Sequence, residues 1–277
     1  DHAARHDRAR AGNPGRPSIL DVAAPPLEAP GVIATRSSLT FVLGLPEVDV
    51  YLGDRELRLL LDIGAEAAIS LHAEHFDLAG LKVTAETATF GDAVGRRFEG
   101  RRFTVDEVRI GARTLRDVAG VENTFSADFV PPNTSGFVGR RLFDGHRLLI
   151  DYAARTLTSF AGEPDGEEAE LRATGATADL VVDRDGWSLR GTLDGEPKRF
   201  LLDTCSTHSL VASEDEGTVI HDFVSGEIAH DQLELVRVPL RGPAVDGILG
   251  ASFFAARRIL IDVEAQRVWA TLVAPSR

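Results

Sequence analysis

The 277-residue chain is long for one simple domain and comfortable for two of about 100–150 residues each. Its 43% hydrophobic and 26% charged residues exclude wholesale disorder and fibrous classes, and a net charge of −13 opposes binding to nucleic acid or anionic membranes. The one cysteine, Cys205, excludes an internal disulfide and paired-cysteine zinc sites, and no apolar run reaches the about 18 residues needed to cross a membrane.

In chain order, residues 1–36 come first, with five of the 13 prolines and no hydrophobic period. They read as a mobile or loosely docked arm. The start at Asp1 and the lack of any Met suggest a processed product. From Ser37 the pattern changes to short apolar or alternating runs at 40–43, 48–52, 57–61, 103–110, 148–152 and 156–160. Gly53-Asp54, Gly91-Asp92 and Gly111-Ala112 punctuate them at hairpin spacing, which predicts an all-β architecture. A polar, Glu- and Gly-rich stretch at 163–177 reads as a linker between a first lobe, 37–162, and a second, 178–277.

An internal repeat organises these runs. Leu59-Leu60-Leu61-Asp62-Ile63-Gly64-Ala65 and Phe200-Leu201-Leu202-Asp203-Thr204-Cys205-Ser206 each run a strand into an aspartate and a turn of small residues, 141 positions apart. Downstream, Gly136-Phe137-Val138-Gly139 matches Gly247-Ile248-Leu249-Gly250, and Arg147-Leu148-Leu149-Ile150-Asp151 matches Arg258-Ile259-Leu260-Ile261-Asp262. Both pairs share an offset of 111. The chain therefore carries two copies of one half-domain.

An apolar strand ending in Asp-x-Gly, a glycine-bearing hairpin, a Gly-hydrophobic-hydrophobic-Gly step and an Ile-Asp strand resemble the retropepsin-like and pepsin-like aspartic peptidases. The resemblance covers about residues 37–272. It implies a two-lobed fold of pseudo-twofold related, β-barrel-like lobes, a cleft for an extended peptide, and a catalytic pair Asp62 and Asp203 flanked by the turns Ile63-Gly64-Ala65 and Thr204-Cys205-Ser206. Residues 89–102 look like the family's flap, with Phe90, Val94 and Phe98 as covering residues and Gly91 and Gly95 in the hairpin. The interval from aspartate to double glycine shrinks from 74 to 44 residues in the second copy, so the flap is expected on the first lobe only. With both copies in one chain, a monomer acting on peptide or protein substrates is implied, without metal or other cofactor.

The chemistry follows from the carboxylates themselves. Two facing carboxyls cannot both ionise cheaply, so they share one proton. The ionised one can take a proton from a water held between them while the other donates to the peptide carbonyl.

Two departures open a second reading. Ile63 lacks the hydroxyl with which the family's turn threonine locks the two aspartates in register, and Cys205 replaces a glycine that lies close to the carboxylates. A catalytically weakened or inactive relative that binds peptide or another ligand in the cleft is the alternative. In a third reading the Arg-containing arm is a pro-segment lying in the acidic cleft.

Other residues carry less. Cys205 and His208 lack a third group to orient a thiol nucleophile. His72 and His75 have metal-compatible spacing but no third ligand, and read as a solvated surface. Asp151 and Asp262 repeat as faithfully as the pair but read as structural. The four motif glycines read as sites of close chain approach rather than a phosphate cradle. The missing Met, the arm and the enzyme class favour export from a bacterial cell.

Overall fold

The alternation read from sequence ends on strands that become buried on both faces. In a computed structural model, which describes residues 34–125, 131, 134–164, 166–255 and 257–272, the first half contains ten strands. These are β1 (Ala34–Val42), β2 (Leu45–Leu52), β3 (Arg55–Asp62), β4 (Ile69–Leu71), β5 (Leu81–Gly91), β6 (Arg97–Ile110), β7 (Arg113–Glu122), β8 (Gly136–Gly139), β9 (Arg147–Asp151) and β10 (Thr156–Phe160). Helix α1 (Gly166–Thr174) follows. The second half contains β11 (Ala176–Asp183), β12 (Gly186–Leu193), β13 (Glu196–Leu202), β14 (Ser209–Ala212), β15 (Gly217–Ser225), β16 (Ile228–Val238), β17 (Gly247–Leu249), the short helix α2 (Ala251–Phe254), β18 (Arg257–Asp262) and β19 (Arg267–Leu272).

Strand β3 shows how residues set burial. Leu57, Leu59 and Leu61 point into the core while Glu56 and Arg58 face water, the period-2 pattern of a half-buried strand. Near its end Leu60 is buried as well, because Leu45, Phe137, Val42, Phe125 and Cys205 pack over the opposite face. Each half repeats one arrangement. β3 runs parallel to β8, β8 antiparallel to β4, and β4 parallel to β7. β13 runs parallel to β17, β17 antiparallel to β14, and β14 parallel to β16. Among the described residues the second half has no counterpart of β5, and its β15–β16 hairpin corresponds to β6–β7.

The halves join through a six-stranded antiparallel sheet in the order β1, β10, β9, β18, β19, β11. At its centre Ile150 pairs with Ile259 and Leu148 with Ile261. Asp151 and Asp262 cap equivalent hairpin turns there, their Oδ1 atoms accepting from the amides of Ala154 at 2.7 Å and Ala265 at 2.8 Å. Their structural reading fits this geometry.

Two sequence boundaries need correction. Residues 34–36, read as arm, belong to β1 and pair with Phe160 through Thr158; the rest of the proposed arm lies outside the described residues. The stretch 163–177, read as a linker, contains α1 and the start of β11. α1 packs Leu171 against Leu149, Phe160 and Leu260 of the shared sheet. With a single buried leucine, its helical period is too weak to read against a polar background.

Candidate active site

Asp62 closes β3 beside Gly139 of β8, and Asp203 follows β13, whose Leu202 pairs with Leu249 of β17. The parallel pairing of equivalent strands thus brings both aspartates to the junction of the lobes. The Asp62 Oδ1 accepts from the Ala65 amide at 2.9 Å, and the Asp203 Oδ1 from the Cys205 amide at 2.8 Å. The two side chains are close enough for the charge of Asp203 to act on Asp62.

Close backbone approach enforces this placement. A β-carbon on Gly64 would lie 2.8 Å from the Asp203 Cγ, so only glycine fits there. Gly139 presses on the first turn and Gly250 on the second. A β-carbon on either would meet a carbonyl oxygen at 2.0 Å (Ala67) or 2.2 Å (His208). The next amide in each copy ties the turn down, Arg140 to the Ala65 carbonyl at 3.0 Å and Ala251 to the Ser206 carbonyl at 2.8 Å. The motif glycines therefore allow close approach, as their pattern suggested.

Burial raises the affinity of both carboxyls for a proton, and the negative charge of Asp203 adds to the effect at Asp62. Amides of Gly64 and Ala65 on Asp62, and of Cys205 and Ser206 on Asp203, oppose it. Arg140, a buried guanidinium that donates to the Gly64 carbonyl at 3.0 Å, also favours the ionised form of Asp62.

Together with a contact of the Cys205 Sγ on the Leu61 carbonyl at 3.5 Å, Thr204 ties one turn to the other. Its buried hydroxyl accepts from the Ile63 amide at 3.2 Å and donates to the Leu61 carbonyl. Ile63 is fully buried among the apolar side chains of the core and returns no such bond. Thr204→Val should strand a buried amide and a buried carbonyl, lowering stability by about 1–3 kcal/mol in denaturant unfolding. A change below about 0.5 kcal/mol would show that the cross-link contributes little.

Cys205 packs against Leu45, Leu60 and Phe137, with Val42 and Phe125 alongside. Burial, then the charges of Asp62 and Asp203, push its thiol well above the ordinary range, so it stays protonated and is a poor nucleophile. The Ser206 hydroxyl donates to the His208 carbonyl at 2.6 Å.

The hairpin β5–β6 turns at residues 92–96. Asp92 organises the turn by accepting from the amides of Val94 at 3.1 Å and Arg96 at 2.8 Å. Gly91 pairs with Arg97 at its base, Gly95 takes φ +85°, and Val94 is 36% exposed at the tip. Phe90 and Phe98 stack 5.8 Å apart and meet Phe125 edge-on at 5.6 and 4.3 Å, and Phe125 reaches Phe137 at 6.0 Å. An aromatic ladder thus descends from the hairpin to the strand beside Asp62.

Three residues escaped the sequence reading as parts of this site. Phe125 follows β7 with no counterpart in the repeat. Arg140 stands where the second copy has Ala251, a break in the repeat that could have marked it. Tyr152 stands where the second copy has Val263. Its phenol is buried with no hydrogen-bond partner among the described residues, stacks on Phe254 and is near Cys205 and Asp203; burial and those two groups raise its pKa. A cavity of about 420 Å³ lies beside it, lined also by Phe41, Gly44, Arg155, Ala251 and Ser252. His75, read as solvated, is instead half-buried and lies 3.4 Å from Glu74. Among the described residues no group of three His, Cys, Asp or Glu side chains could hold a metal ion, and no helix is long and apolar enough to cross a membrane.

Two equivalent half-domains, a shared six-stranded sheet and paired aspartates at their junction define the two-lobed aspartic proteinase fold. Solved structures with that fold include an aspartic proteinase from Irpex lacteus, with TM-score 0.62 and 14% identity over 87% of this chain and 98% of that one. Basic 7S globulin from soybean is also similar, with TM-score 0.60 and 10% identity over 86% of this chain and 94% of the other. So is conglutin gamma, a basic 7S globulin from lupine seeds, with TM-score 0.61 and 9% identity over the same shares. No protein-family model and no curated relative matches the chain by sequence.

Proposed function

We propose that the protein is an aspartic endopeptidase that acts as a monomer on extended peptide segments. The observation that carries this reading is the contact between Asp62 and Asp203 at equivalent turns, with burial raising both carboxyls. One shared proton leaves one base and one acid. The base takes a proton from a water held between the two, the acid protonates the scissile carbonyl oxygen, and the resulting tetrahedral diol collapses as the proton passes to the leaving amine. The β5–β6 hairpin serves as the flap that excludes bulk water. The test is mass-spectrometric profiling of a diverse peptide pool from about pH 3 to pH 8, beside the Asp62→Asn/Asp203→Asn double variant. Cleavage absent from the variant supports the reading, and no cleavage by the folded native chain refutes it.

Cys205 favours a second reading, a ligand-binding cleft without turnover, because it puts a thiol packed on Leu45, Leu60 and Phe137 at the position where the first turn has Gly64. Structural likeness extends to proteins named as globulins as well as to a proteinase. If crowding by this thiol limits catalysis, Cys205→Gly should raise kcat/KM about tenfold, measured on the best peptide of the pool. If the native chain shows no cleavage, restored cleavage in Cys205→Gly would mark a binding protein descended from an enzyme.

A further inference from the structure

The tip of the β5–β6 hairpin does not end in solvent. The Ala93 carbonyl accepts from the amides of Arg241 at 3.0 Å and Gly242 at 3.1 Å, both in the segment between β16 and β17 of the opposite lobe. The surfaces are in tight contact. A β-carbon on Gly95 would lie 2.9 Å from the Arg241 Cβ, and one on Gly242 would lie 2.4 Å from the Asp92 carbonyl oxygen. The segment is fixed at its base by the Leu240 amide on the Val238 carbonyl at 2.9 Å, and Arg241 pairs with Glu214. The hairpin therefore bridges the two lobes.

We propose that residues 240–242 are the seat of the flap, and that the amides of Arg241 and Gly242 determine which substrates reach the aspartates. Under a flap held at both ends, the cleft accepts a single extended chain that enters when the two hydrogen bonds break. A folded hairpin or loop is too wide to pass beneath it. The preferred substrate class is then an unfolded or terminal peptide segment. The latch rests on the contacts above, whereas its effect on substrate choice rests on the peptidase reading.

Gly242→Ala isolates the latch. The three atoms nearest the added methyl, at 2.4–3.3 Å, belong to Asp92 and Ala93, and Gly242 does not occupy the left-handed region, so the substitution strains the docked tip. Residue-resolved amide exchange by NMR is the primary measurement and needs no turnover. Slow exchange at Arg241 and Gly242 in the native chain is expected, accelerated about tenfold or more by Gly242→Ala, with Leu202 and Leu249 unchanged. Fast exchange at both amides in the native chain, or protection indifferent to the substitution, overturns the latch.

Where peptide cleavage is measurable, KM for a ten-residue peptide should fall about tenfold in Gly242→Ala, because the closed state no longer competes with binding. The preference for reduced, unfolded protein over the same protein folded should narrow. An unchanged KM and an unchanged preference overturn the gating role even if the latch exists. Absence of cleavage with the exchange pattern intact counts against the peptidase reading alone.

Discussion

Asp62→Asn and Asp203→Asn are each expected to lower kcat/KM by about 10²–10⁴-fold on any peptide the native chain cleaves. The amide keeps the shape of the carboxyl and can still accept from the amides of Ala65 and Cys205, so the turns stay in place. What changes is the inventory of charge and protons. With one member unable to ionise, the pair cannot be base and acid at once. Turnover unchanged in either variant removes the pair from the mechanism.

The same substitutions have a sign in stability. Burial raises both carboxyls above their unfolded values, so the folded chain holds protons that the unfolded chain releases. That contribution is fully present below the ordinary carboxylate pKa of about 3.9 and is lost as pH rises through the raised folded values. Asp203→Asn should therefore raise Tm relative to the native chain at pH 8 and leave it nearly unchanged at pH 3. An equal shift at both pH values would mean that burial does not oppose ionisation of Asp203 in the folded state. Activity should fall on the alkaline side as the second proton leaves, above the range of an isolated aspartate.

The repeat made both aspartates legible because each closes a strand whose apolar run and following turn must be preserved for the lobe to fold. Glycines at 139 and 250 were readable for the same reason, since each is pressed against a turn carbonyl. Two of the positions where the copies diverge went unread. Arg140 and Tyr152 face Ala251 and Val263 in the repeat, so their roles arise from breaking the symmetry rather than from keeping it. Phe125 joins the site only through the course of the chain after β7. The flap seat is harder still, because backbone amides make its bonds and leave no side-chain pattern. The 163–177 stretch misled for a related reason. Its glutamates and Arg172 looked like solvated linker, yet Glu168 is buried and Glu167 and Arg172 are partly buried, each paired with the opposite charge.

Those partners carry the other large expected effect. Glu168 on α1 is fully buried, and its carboxylate takes two hydrogen bonds from Arg147 of β9, at 2.6 and 2.8 Å, and one from Arg172 at 2.9 Å. Arg172 reaches on to Asp262 of β18, and Arg258 of β18 joins Glu167 on the helix to Asp151 of β9. The helix thus ties a strand of each lobe together across their shared sheet. Glu168→Ala removes the carboxylate that hydrogen-bonds to both Arg147 and Arg172 and leaves those guanidiniums partly buried and underpaired. Breaking a buried pair from one side costs about 3–5 kcal/mol, and the lower end applies because both arginines keep some contact with water. For a chain of this size that corresponds to a fall in Tm of about 6–12 °C. Arg147→Met with Glu168→Leu should recover part of the loss, since the apolar pair leaves neither charge stranded and Arg172 retains Asp262. Thermal melts of the three chains decide the matter. A shift below about 2 °C in Glu168→Ala would show that the network is screened by water and that apolar packing alone holds α1 on the sheet.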